Sequence, residues 1–300
     1  MKTWREIAEL TGFSGEALQG LEETEKQARG NLSKDGNLQQ ILKNLTDPFC
    51  WEDARKGLKN LLQTDKKGMN MLLCMLTACG YTYEKYENLG ISEEIFAETM
   101  KCFWRFVQEH QVSYGCYGFD RDFWTGRQLS LQLFRLGELE YEMCTQKEKK
   151  TIAVHIPSDA DISSEKVQES LHQTREFFER YYPNYRQAPY TCESWLLSPA
   201  LKDLLPPNSR ILNFQALFEV DKVHWESDAV LEWVFQKRGN SLEELPEDTS
   251  LQRKMKAYLL DGGKSRRSFW IPESIENRRK RKLDCLKINK LDILTRTVLV

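Results

Sequence analysis

Apolar positions recur every three or four residues along Ile95, Phe96, Thr99, Met100, Phe103, Phe106 and Val107. That spacing is the stripe of an amphipathic helix. Ser92 suits its N-cap, and Glu93 and Glu94 suit the positive end of its dipole. Asp53–Leu62, Lys67–Thr77 and Asp120–Leu136 read as further helices, the last carrying Phe123, Trp124, Leu131, Phe134 and Arg135. Residues 1–136 therefore read as a helical domain, with no repeat that would build a solenoid.

The pattern changes at Gly137. In "LGELEYEMC", Leu139, Tyr141 and Met143 alternate with Glu138, Glu140 and Glu142, the period of a half-buried strand. "TIAVHIP" (Thr151–Pro157) reads as a second strand, with the charged "TQKEKK" as the turn between them. A long helix follows from about Ser163 to Tyr182, with Val167, Leu171, Thr174, Phe178 and Tyr181 as its buried stripe, and Pro183 ends it. "YRQAPYTCESWLL" reads as a strand, followed by a short helix around Pro199–Leu205 that Pro206 and Pro207 break. "RILNFQALFEV" (Arg210–Val220) alternates well enough to read as a strand covered on one side. "ESDAVLEWVFQ" and "DTSLQRKMKAYLLDGG" read as helices, the second capped at Thr249 or Ser250 and stopped by Gly262 and Gly263. "SFWIPE" is a last strand. Strands alternating with helices predict an α+β fold with a mixed sheet under helical cover.

Composition narrows the function classes. Forty-three basic against 45 acidic residues leave a net charge of −2, so nucleic acid is not an expected partner. Residues 273–300 form a basic tail, with five cations in a row at Arg278–Lys282; a solvated face or tail is the expected reading, and contact with nucleic acid or an acidic partner is the alternative. Arg5, Glu6 and Glu9 occupy the place of a leader's apolar core, and the longest apolar stretch, Met69–Tyr81, falls short of the roughly 20 residues a membrane span needs. A cytoplasmic protein with no membrane contact is expected. The eight cysteines (50, 74, 79, 102, 116, 144, 192 and 285) form no Cys-x-x-Cys and no zinc spacing. They read as small apolar fillers, with no metal site.

Three stretches carry a resemblance: "HIPSDADISSEKVQESLHQTREFF", "TCESWLLSPALKDLLPPNSRILNFQALFEV" and "LPEDTSLQRKMKAYLLDGG". With "RLGELEYEM" at the junction, they resemble bacterial acyltransferase-like proteins that pair a helical N-terminal domain with a GNAT-like C-terminal domain. The resemblance covers roughly residues 85–272. It implies a helical domain at 1–136, a GNAT-like sheet domain at 137–272 and the tail beyond. It also implies acyl transfer from acyl-coenzyme A, as cosubstrate rather than bound cofactor, to a small-molecule or peptide amine by direct attack. In such a sheet two neighbouring central strands part and the thioester arm lies between them. "TIAVHIP" would be one of them and "APYTCESWLL" the other, so Ile156, Cys192 and Ser194 would line the arm. Ser163 and Ser164, at the start of the following helix, would meet the pyrophosphate, since unpaired N–H groups and a positive dipole end favour an anion. GNAT enzymes usually carry a basic, glycine-rich loop there; this chain has "PSDADISS", with Asp159 and Asp161 and no glycine. Each carboxylate near a pyrophosphate costs about 1 kcal/mol or more. Either the loop turns its acids away, or coenzyme A binds weakly, or it does not bind.

Aminolysis of a thioester needs a base for the amine, a donor for the carbonyl oxygen and an acid for the thiolate. Glu193 on the second strand is a candidate base, directly or through water. His155, at the end of the first, is the histidine best placed for proton transfer. Tyr190 is a candidate acid. Cys192 could act as a nucleophile with His155, though an inert buried thiol is the stronger reading. Asn213 and Gln215 offer amides to an acceptor if their strand borders the cleft. The rival readings are a GNAT-like relative that binds a ligand or protein without catalysis, and a helical interaction module whose sheet is only scaffold.

Overall fold

The computed structural model describes residues 1–28, 36–63, 65–146, 148–224, 229–235, 241–263 and 267–272. The basic tail with Arg278–Lys282, Cys285 and parts of the helix expected at 226–236 lie outside the described residues.

The N-terminal part is built from α1 (Trp4–Leu10), α2 (Gly15–Ala28), α3 (Leu38–Asn44), α4 (Trp51–Leu61), α5 (Met69–Leu89), α6 (Glu93–Tyr114) and α7 (Asp122–Leu129). Ser92 caps α6, its hydroxyl accepting from the Ile95 N–H at 3.4 Å. The stripe read from the sequence is buried: Phe96, Met100, Phe103 and Val107 are fully enclosed. α5 begins at Gly68 because only glycine fits there. Its φ is +70°, and a Cβ would lie 1.8 Å from the Phe119 carbonyl oxygen.

The sheet holds β1 (Leu133–Leu136), β2 (Leu139–Gln146), β3 (Lys149–His155), β4 (Tyr190–Ser194), β5 (Phe218–His224) and β6 (Arg267–Pro272), in the order β1-β2-β3-β4-β6-β5. Among the described residues only β3 and β4 pair in parallel, and every other pairing is antiparallel. α8 (Ser164–Tyr181) crosses from β3 to β4. The short helices α9 (Leu201–Leu204), α10 (Arg210–Gln215) and α11 (Ala229–Trp233) and the longer α12 (Ser250–Leu260) come after β4 in the chain. Thr249 and Gln252 form a capping box at the start of α12.

Alternation sorts the central strands onto two faces. Tyr141, Ile152, Val154, Tyr190 and Cys192 share the face beneath α8, where the Tyr141 hydroxyl meets Ser170 Oγ at 2.9 Å. Glu140, Glu142, His155, Thr191 and Glu193 share the opposite face, which α6 and α7 approach through Arg105 and Arg127. One apolar core runs from Ile7 and Leu72 through Phe134 and Tyr141 to Phe178 and Cys192, so helices and sheet are packed as one body of side chains.

Two sequence expectations need correction. The helix expected over Asp120–Leu136 stops at Leu129; Leu131 turns to φ +58°, and 133–136 form β1. All four β1 residues are buried, so no alternation betrays the strand. The strand expected over Arg210–Val220 is instead α10 followed by β5. Ile211, Phe214 and Gln215 are spaced three and four apart, and the helical period prevails once Ser209 starts a new element after the two prolines.

Candidate active site

The parallel ladder between β3 and β4 is short. It holds Ile152 against Tyr190 and Ala153 against Thr191, then ends, although β3 continues to His155 and β4 to Ser194. Past Thr191, β4 keeps only its antiparallel partner β6, from Cys192↔Trp270 to Ser194↔Ser268. The two strands therefore part, and continued register would have set His155 opposite Glu193. Those side chains stand on opposite walls of the gap, both on the face toward α6 and α7.

His155 is tightly set. Its Nε2 lies 2.8 Å from Glu142 Oε2, while Arg127 Nε donates to Glu142 Oε1 at 3.0 Å. The indole of Trp124 stands edge-on to the imidazole, ring centres 5.0 Å apart. Arg127 lies over Trp124 at 4.7 Å, and Trp51 packs so close to α7 that a Cβ on Gly126 would fall 1.9 Å from its ring. Burial pushes the Glu142 carboxyl up, but the hydrogen bond and charge of His155, and then Arg127, outweigh burial and hold it below its ordinary 4.5. Glu193 is exposed.

The acids of the "PSDADISS" loop are turned to cations. Asp159 receives Arg135 Nη1 at 2.8 and 2.9 Å and lies 3.5 Å from Arg105. Arg105 is itself buried and donates to Glu140 at 2.8 Å. Asp161 pairs with Arg210 at 3.2 Å and accepts from the Ser163 N–H at 3.0 Å. The first intrahelical bond of α8 runs from Val167 N to Ser163 O, leaving the N–H groups of Ser164, Glu165 and Lys166 ahead of the ladder. Both acids are thus ion-paired, while Asp161 stays at the start of α8 through the Ser163 N–H.

Other expected residues fall elsewhere. Tyr190 is on the α8 face, edge-on to Tyr141 at 6.1 Å, and burial pushes its phenol up to about 12. It does not meet His155 or Glu193. Cys192 shares that face; it is 1% exposed and burial pushes its thiol far up, so the nucleophile reading is set aside. Ser194 closes β4, its hydroxyl accepting from the Leu196 N–H at 3.2 Å, and Ile156 follows β3 half-buried. Asn213 and Gln215 lie on α10, not on a strand. Asn213 is exposed, and Gln215 is buried with Nε2 donating to the carbonyls of Leu196 and Ser198 at 2.8 and 3.0 Å.

Sequence reasoning missed Glu142, Arg127, Trp124, Arg105 and Arg135. One signal was present. If helices cover the sheet, Glu140 and Glu142 cannot both face water, and cations must lie above them.

Among the described residues no three His, Cys, Asp or Glu are placed to hold a metal, and no helix is long and apolar enough to cross a membrane. Comparison with known proteins adds the lineage. Residues 2–131 match the family model of an N-acyltransferase N-terminal domain, and residues 133–269 that of a GNAT-like C-terminal domain. No curated protein matches the chain. A crystal structure of an acyltransferase in complex with decanoyl-CoA and teicoplanin is similar at 21% identity and TM-score 0.65, over 90% of this chain and 99% of that one. A second, of an acyltransferase with CoA and 10C-teicoplanin, matches at 20% identity and TM-score 0.65 over 91% and 99%. At that identity the likeness establishes the fold.

Proposed function

The chain belongs to the family that joins an N-acyltransferase N-terminal domain to a GNAT-like C-terminal domain, and from that premise we propose that it is an acyl-coenzyme A-dependent N-acyltransferase. The observation that carries this reading is the early end of the β3–β4 ladder, past which the two strands no longer pair. A thioester arm lying between them would take the place of the missing ladder bonds. Backbone N–H groups freed by the parting are suited to the carbonyl oxygen as it gains charge. The start of α8, with three N–H groups ahead of its ladder, suits the pyrophosphate. The arginine pairing of Asp159 and Asp161 offsets part of the repulsion that those acids would otherwise exert.

The amine enters from the helical side. Glu193, exposed on one wall, attracts it as a cation. On the other wall His155 takes the ammonium's proton, and the neutral amine nitrogen then attacks the thioester carbon. The C–S bond breaks, the proton still surplus on the attacking nitrogen passes to the departing thiolate, and an amide and free coenzyme A result. Of the solved neighbours, one was crystallised with decanoyl-CoA and teicoplanin and another with CoA and 10C-teicoplanin. They favour a small-molecule amine as acceptor over a protein.

Calorimetric titration with coenzyme A tests the reading. Saturable binding is expected, weakened about tenfold by Ser164→Glu through charge repulsion of roughly 1 kcal/mol or more at the start of α8. His155→Ala should lower turnover of an acyl-CoA with a panel of amines by about 10²–10⁴-fold. Absence of binding at millimolar coenzyme A would overturn the proposal and favour a non-catalytic binding module.

A further inference from the structure

We infer that Glu142 is the positioning residue for His155, and that Arg127 and Trp124 of the helical domain complete a device that fixes which imidazole nitrogen faces the amine. The inference rests on the acyl-transfer reading and deepens it.

Glu142 is the middle of the device. One carboxylate oxygen takes Arg127 Nε and the other faces His155 Nε2, so both oxygens are committed and the carboxylate cannot rotate without losing one partner. A carboxylate accepts only, so Nε2 carries a hydrogen, and in the neutral imidazole Nδ1 carries the lone pair. Among the described residues Nδ1 has no hydrogen-bond partner and is not an enclosed atom. That is the nitrogen left to receive the amine's proton. When it does, the imidazolium forms with a carboxylate already in contact, and no group has to move. The Trp124 indole blocks the ring from tipping, since it stands edge-on at an interplanar angle of 86°.

Two elements of different domains build this arrangement. β2 contributes Glu142, while α7 contributes Arg127 and Trp124, and the Trp51–Gly126 contact seats α7. The helical domain is thus part of the catalytic apparatus. The charges facing His155 are few. Glu142 touches it, and Glu140 lies across the β2–β3 ladder but is engaged by Arg105 of α6. Arg135 of β1 flanks Glu140 and is engaged by Asp159, and Glu193 stands on the far wall on β4.

The two partners of Glu142 give a test in opposite directions. Glu142→Gln removes the carboxylate beside the imidazole, so the imidazolium loses support and the acidic limb of the kcat/KM–pH profile moves to lower pH. Arg127→Met frees Glu142 for His155 alone, and the limb moves to higher pH. A merely structural role would displace both variants the same way or neither. Turnover by Glu142→Gln should fall about ten- to a hundredfold, the lower part of what a positioned base contributes, with KM for acyl-CoA nearly unchanged.

Nitrogen-15 NMR of the imidazoles, with four histidines to resolve, supplies a readout free of turnover. In the intact chain the His155 signals should report hydrogen on Nε2, and that preference should weaken in Glu142→Gln. Unchanged tautomer and titration of His155 in Glu142→Gln, with native circular dichroism, overturns the inference. So does a spectroscopic change that leaves the rate profile unmoved. An intact chain with the expected spectra but no acyl transfer would instead overturn the acyltransferase reading beneath it.

Discussion

Toward α8, the three central strands present Tyr141, Ile152, Val154, Tyr190 and Cys192; toward α6 and α7 the same strands present Glu140, Glu142, His155, Thr191 and Glu193. The first set is packed among Phe177, Phe178 and other core side chains. The second set holds the charges and the half-open imidazole. Neighbours in sequence are therefore strangers in function. Cys192 and Glu193 share a peptide bond, yet one is sealed and the other exposed. A period of two decides which candidates can act together, and it separates Tyr190 and Cys192 from His155 and Glu193.

Substitutions should divide along the same line. The largest stability loss is expected for Tyr141→Ala, about 3–5 kcal/mol by denaturant titration, because it empties a fully buried site, although Ser170 keeps its bonds to Leu136 and Leu139. Cys192→Ser should cost about 1–3 kcal/mol, since a hydroxyl there must find a partner in a sealed site. Its native thiol should also resist dithionitrobenzoate while the exposed Cys50 reacts; equal labelling of both would break the division. Glu193→Gln, one residue on, should leave stability within about 0.5 kcal/mol but lower kcat/KM for the amine. The smallest effect concerns pH. The folded-state Glu142 carboxyl lies below its ordinary 4.5, so its stabilising contribution is present above that pH and lost as pH falls below it. Glu142→Gln should remove that part of the acid-side slope in a stability–pH profile, and the two proteins should converge at lower pH.

Much of this was legible in the residues. The caps at Ser92 and Thr249, the β2 alternation and the stripe of α8 each follow from local chemistry. β1 was hidden because a strand buried on both sides loses its alternation, and α10 because six residues fit either period. The site was half visible. His155 and Glu193 sit on adjacent extended segments, which order along the chain suggests. Glu142, Arg127 and Trp124 come from a neighbouring strand and another domain, and only packing brings them to the imidazole. The arginines that settle the loop acids lie 24 to 49 positions away in sequence, beyond any local pattern.

One short helix bears on both lips of the gap. At its start Arg210 grips Asp161, beyond the end of β3; at its finish Gln215 grips Leu196 and Ser198, beyond the end of β4. The rise of a helix puts those two grips about 7.5 Å apart along its axis. Of its two ends, the exposed Arg210 pair is the one that water can replace, while the buried Gln215 amide has no water to take its place, so α10 should loosen from its start rather than its finish.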